Sequence, residues 1–120
     1  MAQADDKRRS LRLEAFLEGN FQCADGRKGL IMLTNFSRGG VKAALNRSVA
    51  RGETIALEVW IPASIIPVFA VGEIVWIKKK AKEWTYSYDA GVRLTQIEPE
   101  DRQRIMDFAY EHWRVNKERT

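Results

Sequence analysis

Apolar and polar residues alternate with a period of two along most of the chain, and the period changes only near Pro99. Leu13, Ala15, Leu17 and Phe21 recur at every second position, broken by Gly19. This predicts a strand over 13–21 with a bulge at the glycine. Asp25-Gly26 is a hairpin signal, and a second strand follows over 29–34. The stretch Asn35-Phe36-Ser37-Arg38-Gly39-Gly40 reads as a tight turn. Asn and Ser side chains hydrogen-bond nearby backbone, and glycine takes positive φ at no steric cost. A short third strand spans 41–45, and a polar loop spans 46–52.

Residues 54–61 give the cleanest alternation, with Ile55, Leu57, Val59 and Ile61 set against Thr54, Ala56, Glu58 and Trp60. Pro62 and Pro67 bracket the next connection, because proline cannot donate to a ladder. A fifth strand spans 68–77, a lysine-rich hairpin tip covers 78–83, and a sixth strand spans 84–94. Pro99 suits the first position of a helix, and Glu98, Glu100 and Asp101 suit its positive end. Ile105, Phe108, Ala109 and His112 then form one stripe, with Met106, Tyr110 and Trp113 beside it. Trp60, Trp76, Trp84, Tyr86, Tyr88 and Phe108 are expected in the core.

Six short strands with regular turns predict an all-β fold, a six-stranded antiparallel β-barrel, because closure removes exposed edges. One C-terminal α-helix is expected to cover a mouth or side of it. The predicted organisation is a single domain: a flexible basic arm over 1–12, the barrel over 13–97 and the helix over 98–116.

Composition narrows the chemistry. The chain has 120 residues, 45% hydrophobic and 30% charged, an ordinary balance for one globular domain. No apolar run approaches the ~18 residues of a membrane span, and no signal peptide opens the sequence, so a cytoplasmic location without a membrane span is expected. Cys23 is the single cysteine and His112 the single histidine. A disulfide, a thiolate zinc site and a His-based triad therefore lack raw material. Neither an enzyme nor a cofactor is expected. The formal charge of +4 favours an anionic partner.

Two motifs give that partner an identity. Arg8-x-x-x-Arg12 is followed by Asn35-x-Ser37-x-x-Gly40, in that order and ahead of the β pattern. With Gly52-Glu53, Gly72-Glu73-Ile74-Val75-Trp76 and Ala90-Gly91-Val92-Arg93-Leu94, the chain resembles the PilZ domain family over nearly its whole length, as a stand-alone member. These are bacterial receptors for cyclic di-GMP. The resemblance implies the same split barrel and helix. It also implies ligand binding by Arg8, Arg12, Asn35 and Ser37, with Gly40 acting through backbone shape. Lys7, Arg9, Arg38 and Gly39 are auxiliaries.

These residue types suit the ligand. Arginine offers a bidentate fork, a fixed charge and a planar face for phosphate and for the guanine O6/N7 edge. Asn35 can accept from guanine N–H groups, and Ser37 adds a hydroxyl. The position of Lys7 bears in the family on whether one ligand or a stacked pair binds, and stoichiometry stays open. The implied function is a receptor whose arm closes over cyclic di-GMP and signals to an unidentified effector protein. The alternatives are a ligand-independent PilZ-like adaptor or a small basic β-barrel that binds single-stranded nucleic acid. The motif pair ranks nucleic acid lower, and the lysine run reads as a solvated tip.

Overall fold

Alternation carries strand β1 (Leu13–Cys23) from end to end, with Leu13, Ala15, Leu17, Phe21 and Cys23 all buried. The computed structural model describes residues 13–37, 40–80 and 85–119. The expected arm over 1–12, with Lys7, Arg8, Arg9 and Arg12, lies outside the described residues, as do Arg38, Gly39 and Trp84. Strands β2 (Lys28–Ser37), β3 (Gly40–Leu45), β4 (Thr54–Val59), β5 (Val68–Lys79) and β6 (Tyr88–Ile97) follow, and helix α1 (Pro99–Arg119) ends the chain. The strands close into an antiparallel barrel in the order β1-β2-β3-β6-β5-β4, so no edge is left unpaired.

The inward faces meet in one apolar cluster, in which Phe21, Phe36, Ile31, Leu45, Ile55, Ile74 and Val92 are almost wholly buried. No polar or charged side chain is buried among the described residues. In α1, the carbonyl of Glu98 accepts from the Arg102 N–H at 3.0 Å, and Glu100 and Asp101 occupy the positive end. The helix buries Ile105 and Ala109 and packs on β1. Its first turns also face Phe36, Val41 and Ile97, with about 10 Å³ of free space between them. One mouth of the barrel is thereby closed.

Several local expectations are corrected. The irregularity in β1 lies between Glu14 and Leu17, not at Gly19. Gly19 is required for close approach: a Cβ there would sit 2.3 Å from the Glu58 carbonyl oxygen of β4. The stretch expected as a turn is largely ladder, since Asn35 to Ser37 end β2 and Gly40 begins β3, with Ser37 paired to Gly40. Strand β6 begins at Tyr88 rather than at position 84. Residues 85–87 are irregular, although Ser87 still bonds backbone of Leu45 and Lys80 at 2.9 Å each. Trp60 and Trp76, expected in the core, are 41% and 38% exposed.

Candidate ligand-binding site

Two bulges build the site, each by shifting the phase of a strand. In β2, Ile31 and Leu33 point inward, so unbroken alternation would bury Asn35. Instead the register to β3 slips between Leu33 and Asn35, leaving Thr34 as an extra residue. Its hydroxyl donates to the Lys42 carbonyl at 3.2 Å. Phe36 becomes the buried residue, and Asn35 and Ser37 emerge on the outer face on either side of it. In β5, Ala70, Gly72 and Ile74 point inward, and the register to β6 slips between Ile74 and Trp76. Val75 and Trp76 are consequently both exposed.

The slips bring these side chains into one row across the sheet. Asn35 pairs with Lys42, Lys42 with Gly91, and Gly91 with Trp76. The Trp76 indole lies over Gly91, where a Cβ would fall 2.2 Å from Nε1. One step along, Ser37 pairs with Gly40, and the Ser37 hydroxyl donates to the Gly40 carbonyl at 3.1 Å. A Cβ on Gly40 would lie 2.6 Å from the Val92 carbonyl oxygen. Gly40 is not among the glycines at positive φ, which are Gly26 and Gly52 among the described residues. Its place in the motif therefore follows from strand approach rather than from a left-handed turn.

Gly40 and Gly91 together leave a floor without side chains. The resulting open groove of about 340 Å³ is bordered by Asn35, Ser37, Lys42, Trp76 and Arg93. Arg93 is ion-paired with Glu73, its cross-strand neighbour. The arrangement offers an amide, a hydroxyl that can still accept, two cations and an indole face. That set suits a flat, polar-edged base bearing phosphate.

Of the residues expected from sequence, Asn35, Ser37 and Gly40 come together here, while Arg8 and Arg12 and the four auxiliaries fall outside the described residues. Trp76, Lys42 and Arg93 are additional lining residues that sequence reasoning missed. Trp76 was concealed by its bulge, because the period through Ile74 places it inward. A second grouping, Cys23, Asp25 and Glu53, has ligand atoms within 4.8 Å of one another. The Arg27 guanidinium bonds both carboxylates, so these groups satisfy each other.

The PilZ domain family model matches residues 6–111. No curated protein matches the chain. Among solved structures, the inhibitor of motility MotI/DgrA of Bacillus subtilis is similar at a TM-score of 0.66, with 20% identity over 89% of this chain and 51% of that one. The chain thus spans about half the length of that protein. The PilZ domain of YcgR from Escherichia coli, solved with c-di-GMP, is similar at a TM-score of 0.70, with 17% identity over 94% and 96% of the two chains. At these identities the structures speak for the fold. The family match covers most of the sequence, and the chain belongs to the PilZ domain family.

Proposed function

We propose that the chain is a cyclic di-GMP receptor that binds its ligand in the Asn35–Trp76 groove and passes the signal to a partner protein. One observation carries the reading: the Thr34 bulge turns Asn35 and Ser37 of the motif outward into a groove that also holds Trp76, Lys42 and Arg93. The c-di-GMP bound by the PilZ domain of YcgR supports the same ligand class. Asn35 and Ser37 would read a guanine edge, Trp76 would stack on a base, and the cations would meet phosphate.

Residues 1–12 would act as the closing arm, 13–97 as the ligand platform and 98–116 as the helix behind it. Leu13 pairs with Phe36, between the two motif side chains. Closure of the arm on the ligand would remodel the outer face of β1 and β2, and the partner would sense that change. The ligand shifts this equilibrium only by its preference for the closed state. No helix among the described residues is long and apolar enough to cross a membrane.

The test is calorimetric titration with cyclic di-GMP, with GTP and cyclic di-AMP as controls. Saturable, guanine-selective binding is expected, and its stoichiometry separates one ligand from a stacked pair. Losing one bidentate arginine contact costs roughly 1–3 kcal/mol, so Arg12→Ala should weaken binding on the order of 5- to 150-fold. Wild-type affinity in both Arg8→Ala and Arg12→Ala would overturn the assignment. A folded protein that binds no cyclic dinucleotide would be a ligand-independent adaptor.

A further inference from the structure

The mouth of the barrel away from α1 carries a second groove, of about 520 Å³, bordered by Arg27, Arg47, Ser48, Lys79, Ser87 and Tyr88. It lies at the other ends of the strands that form the first site. Trp76 and Lys79 are three residues apart on β5, roughly 10 Å at strand rise. Among the described residues, Asp25, Glu53 and Asp89 at this end are already engaged. Asp25 and Glu53 pair with Arg27, and Asp89 pairs with Lys80 at 3.3 Å. Among the described residues, no ion pair joins Arg47 or Lys79 to a carboxylate.

Arg47 is held in place without being neutralised, because one of its N–H groups donates to the Lys28 carbonyl at 2.9 Å. Its remaining N–H groups and the Lys79 ammonium therefore supply uncompensated positive charge to a concave surface. Exposed Lys28 and Lys78 add to the same field. Ser48 and Ser87 bring hydroxyl donors, and Tyr88 is an aromatic wall. A solvated lysine tip explains the charge. It does not explain why charge, hydroxyls and an aromatic face converge on one groove.

We propose that this groove binds phosphate, with Arg47 and Lys79 as charge contacts, Ser48 and Ser87 as donors and Tyr88 as a face for any base that the phosphate carries. The site stands independently of the receptor reading, since it shares no residue with the Asn35–Trp76 groove. Free polyphosphate and a single nucleic-acid strand present this same chemistry, and the two sources separate by affinity.

The experiment is a titration of the whole chain with inorganic triphosphate and with a short oligothymidylate, each at about 50 mM and 200 mM salt. Saturable binding is expected. Two cation–phosphate contacts on a single strand give a log–log salt slope of roughly −1.4. The double variant Arg47→Gln/Lys79→Gln should weaken binding at least about tenfold and flatten that slope, while it stays folded and its response to cyclic di-GMP stays as in wild type. Equal affinity for the two probes assigns the groove to free phosphate, and preference for the oligonucleotide assigns it to a nucleic-acid strand. No binding of either probe at low salt would overturn the proposal, as would undiminished binding in the double variant.

Discussion

Gly91 and Gly40 floor the same groove for different reasons, and the two substitutions should part company accordingly. At Gly91 the space of a side chain is taken by the Trp76 indole, 2.2 Å from where a Cβ would stand. Gly91→Val must therefore displace the indole, a side chain on the outer face that has somewhere to go. Stacking of a base on an aromatic is worth about 1–3 kcal/mol, so both Gly91→Val and Trp76→Ala should weaken cyclic di-GMP on the order of 5- to 150-fold. Calorimetric titration reads this directly. Wild-type affinity in Trp76→Ala would remove the indole from the site. At Gly40 the obstacle is backbone, the Val92 carbonyl oxygen at 2.6 Å, which cannot move without opening the β3–β6 ladder. Gly40→Ala should cost roughly 1–3 kcal/mol of stability by overpacking, with or without ligand. Unchanged urea midpoints would contradict that.

At the scale of elements, what the sequence made legible was whatever repeats with a fixed period. The alternation of β1 and β4, the change of period at Pro99 and the closed barrel could all be read from residue spacing. The bulges could not, because a phase slip looks like the end of a strand or like a different face. Ile31, Leu33 and Phe36 are the trace of the slip in β2, but Asn, Ser and Gly beyond them imitate a turn. In β5 the slip after Ile74 made an exposed tryptophan look buried. The partner of an outward residue, such as Gly91 beneath Trp76, depends on register, which the spacing within one strand does not contain. Helix–loop contacts are equally invisible from spacing. The Arg104 guanidinium, oriented by Asp101 at 2.9 Å, donates to the Ser64 hydroxyl at 2.7 Å and to the Ile66 carbonyl at 2.5 Å. This clamp holds the β4–β5 connection, in which Ala63 sits at φ 69° and Ile65 is almost fully exposed. Hydrogen bonds to charged groups are worth about 1.5–3 kcal/mol, so Arg104→Ala should lower stability by an amount of that order. It should also speed hydrogen exchange at the Ser64 and Ile66 amides. Unaltered exchange there would show that the loop holds its shape without the helix.

For the molecule as a whole, Glu53 couples the barrel's open mouth to pH. Its carboxylate accepts from the Ala50 N–H at 2.8 Å and pairs with Arg27 of the β1–β2 hairpin. Its carbonyl accepts from the Ile74 N–H of β5 at 2.9 Å. Three separate segments therefore meet at one residue. The Ala50 N–H, followed by the Cys23 thiol and the Arg27 charge, holds the Glu53 carboxyl below its ordinary value near 4.5. Asp25 is lowered likewise, chiefly by the Arg27 backbone N–H. A carboxyl depressed in the folded state binds fewer protons there than in the unfolded chain. Its stabilisation is complete above the unfolded value and is lost as pH falls through the folded one. Urea midpoints should accordingly hold steady near neutrality and fall below about pH 4.5. Glu53→Gln keeps the shape but not the charge. It should be less stable at neutral pH by about 1 kcal/mol and should lose part of the acid dependence. An acid slope identical to wild type would place the coupling elsewhere. Cys23 offers a second readout of the same event. Burial first, and then the Glu53 carboxylate, push its thiol up, so it stays protonated and slow to react while these segments stay packed over it. Labelling of Cys23 at neutral pH should then be faster in Glu53→Gln than in wild type, because the variant relieves the charge and loosens the segments that cover the thiol.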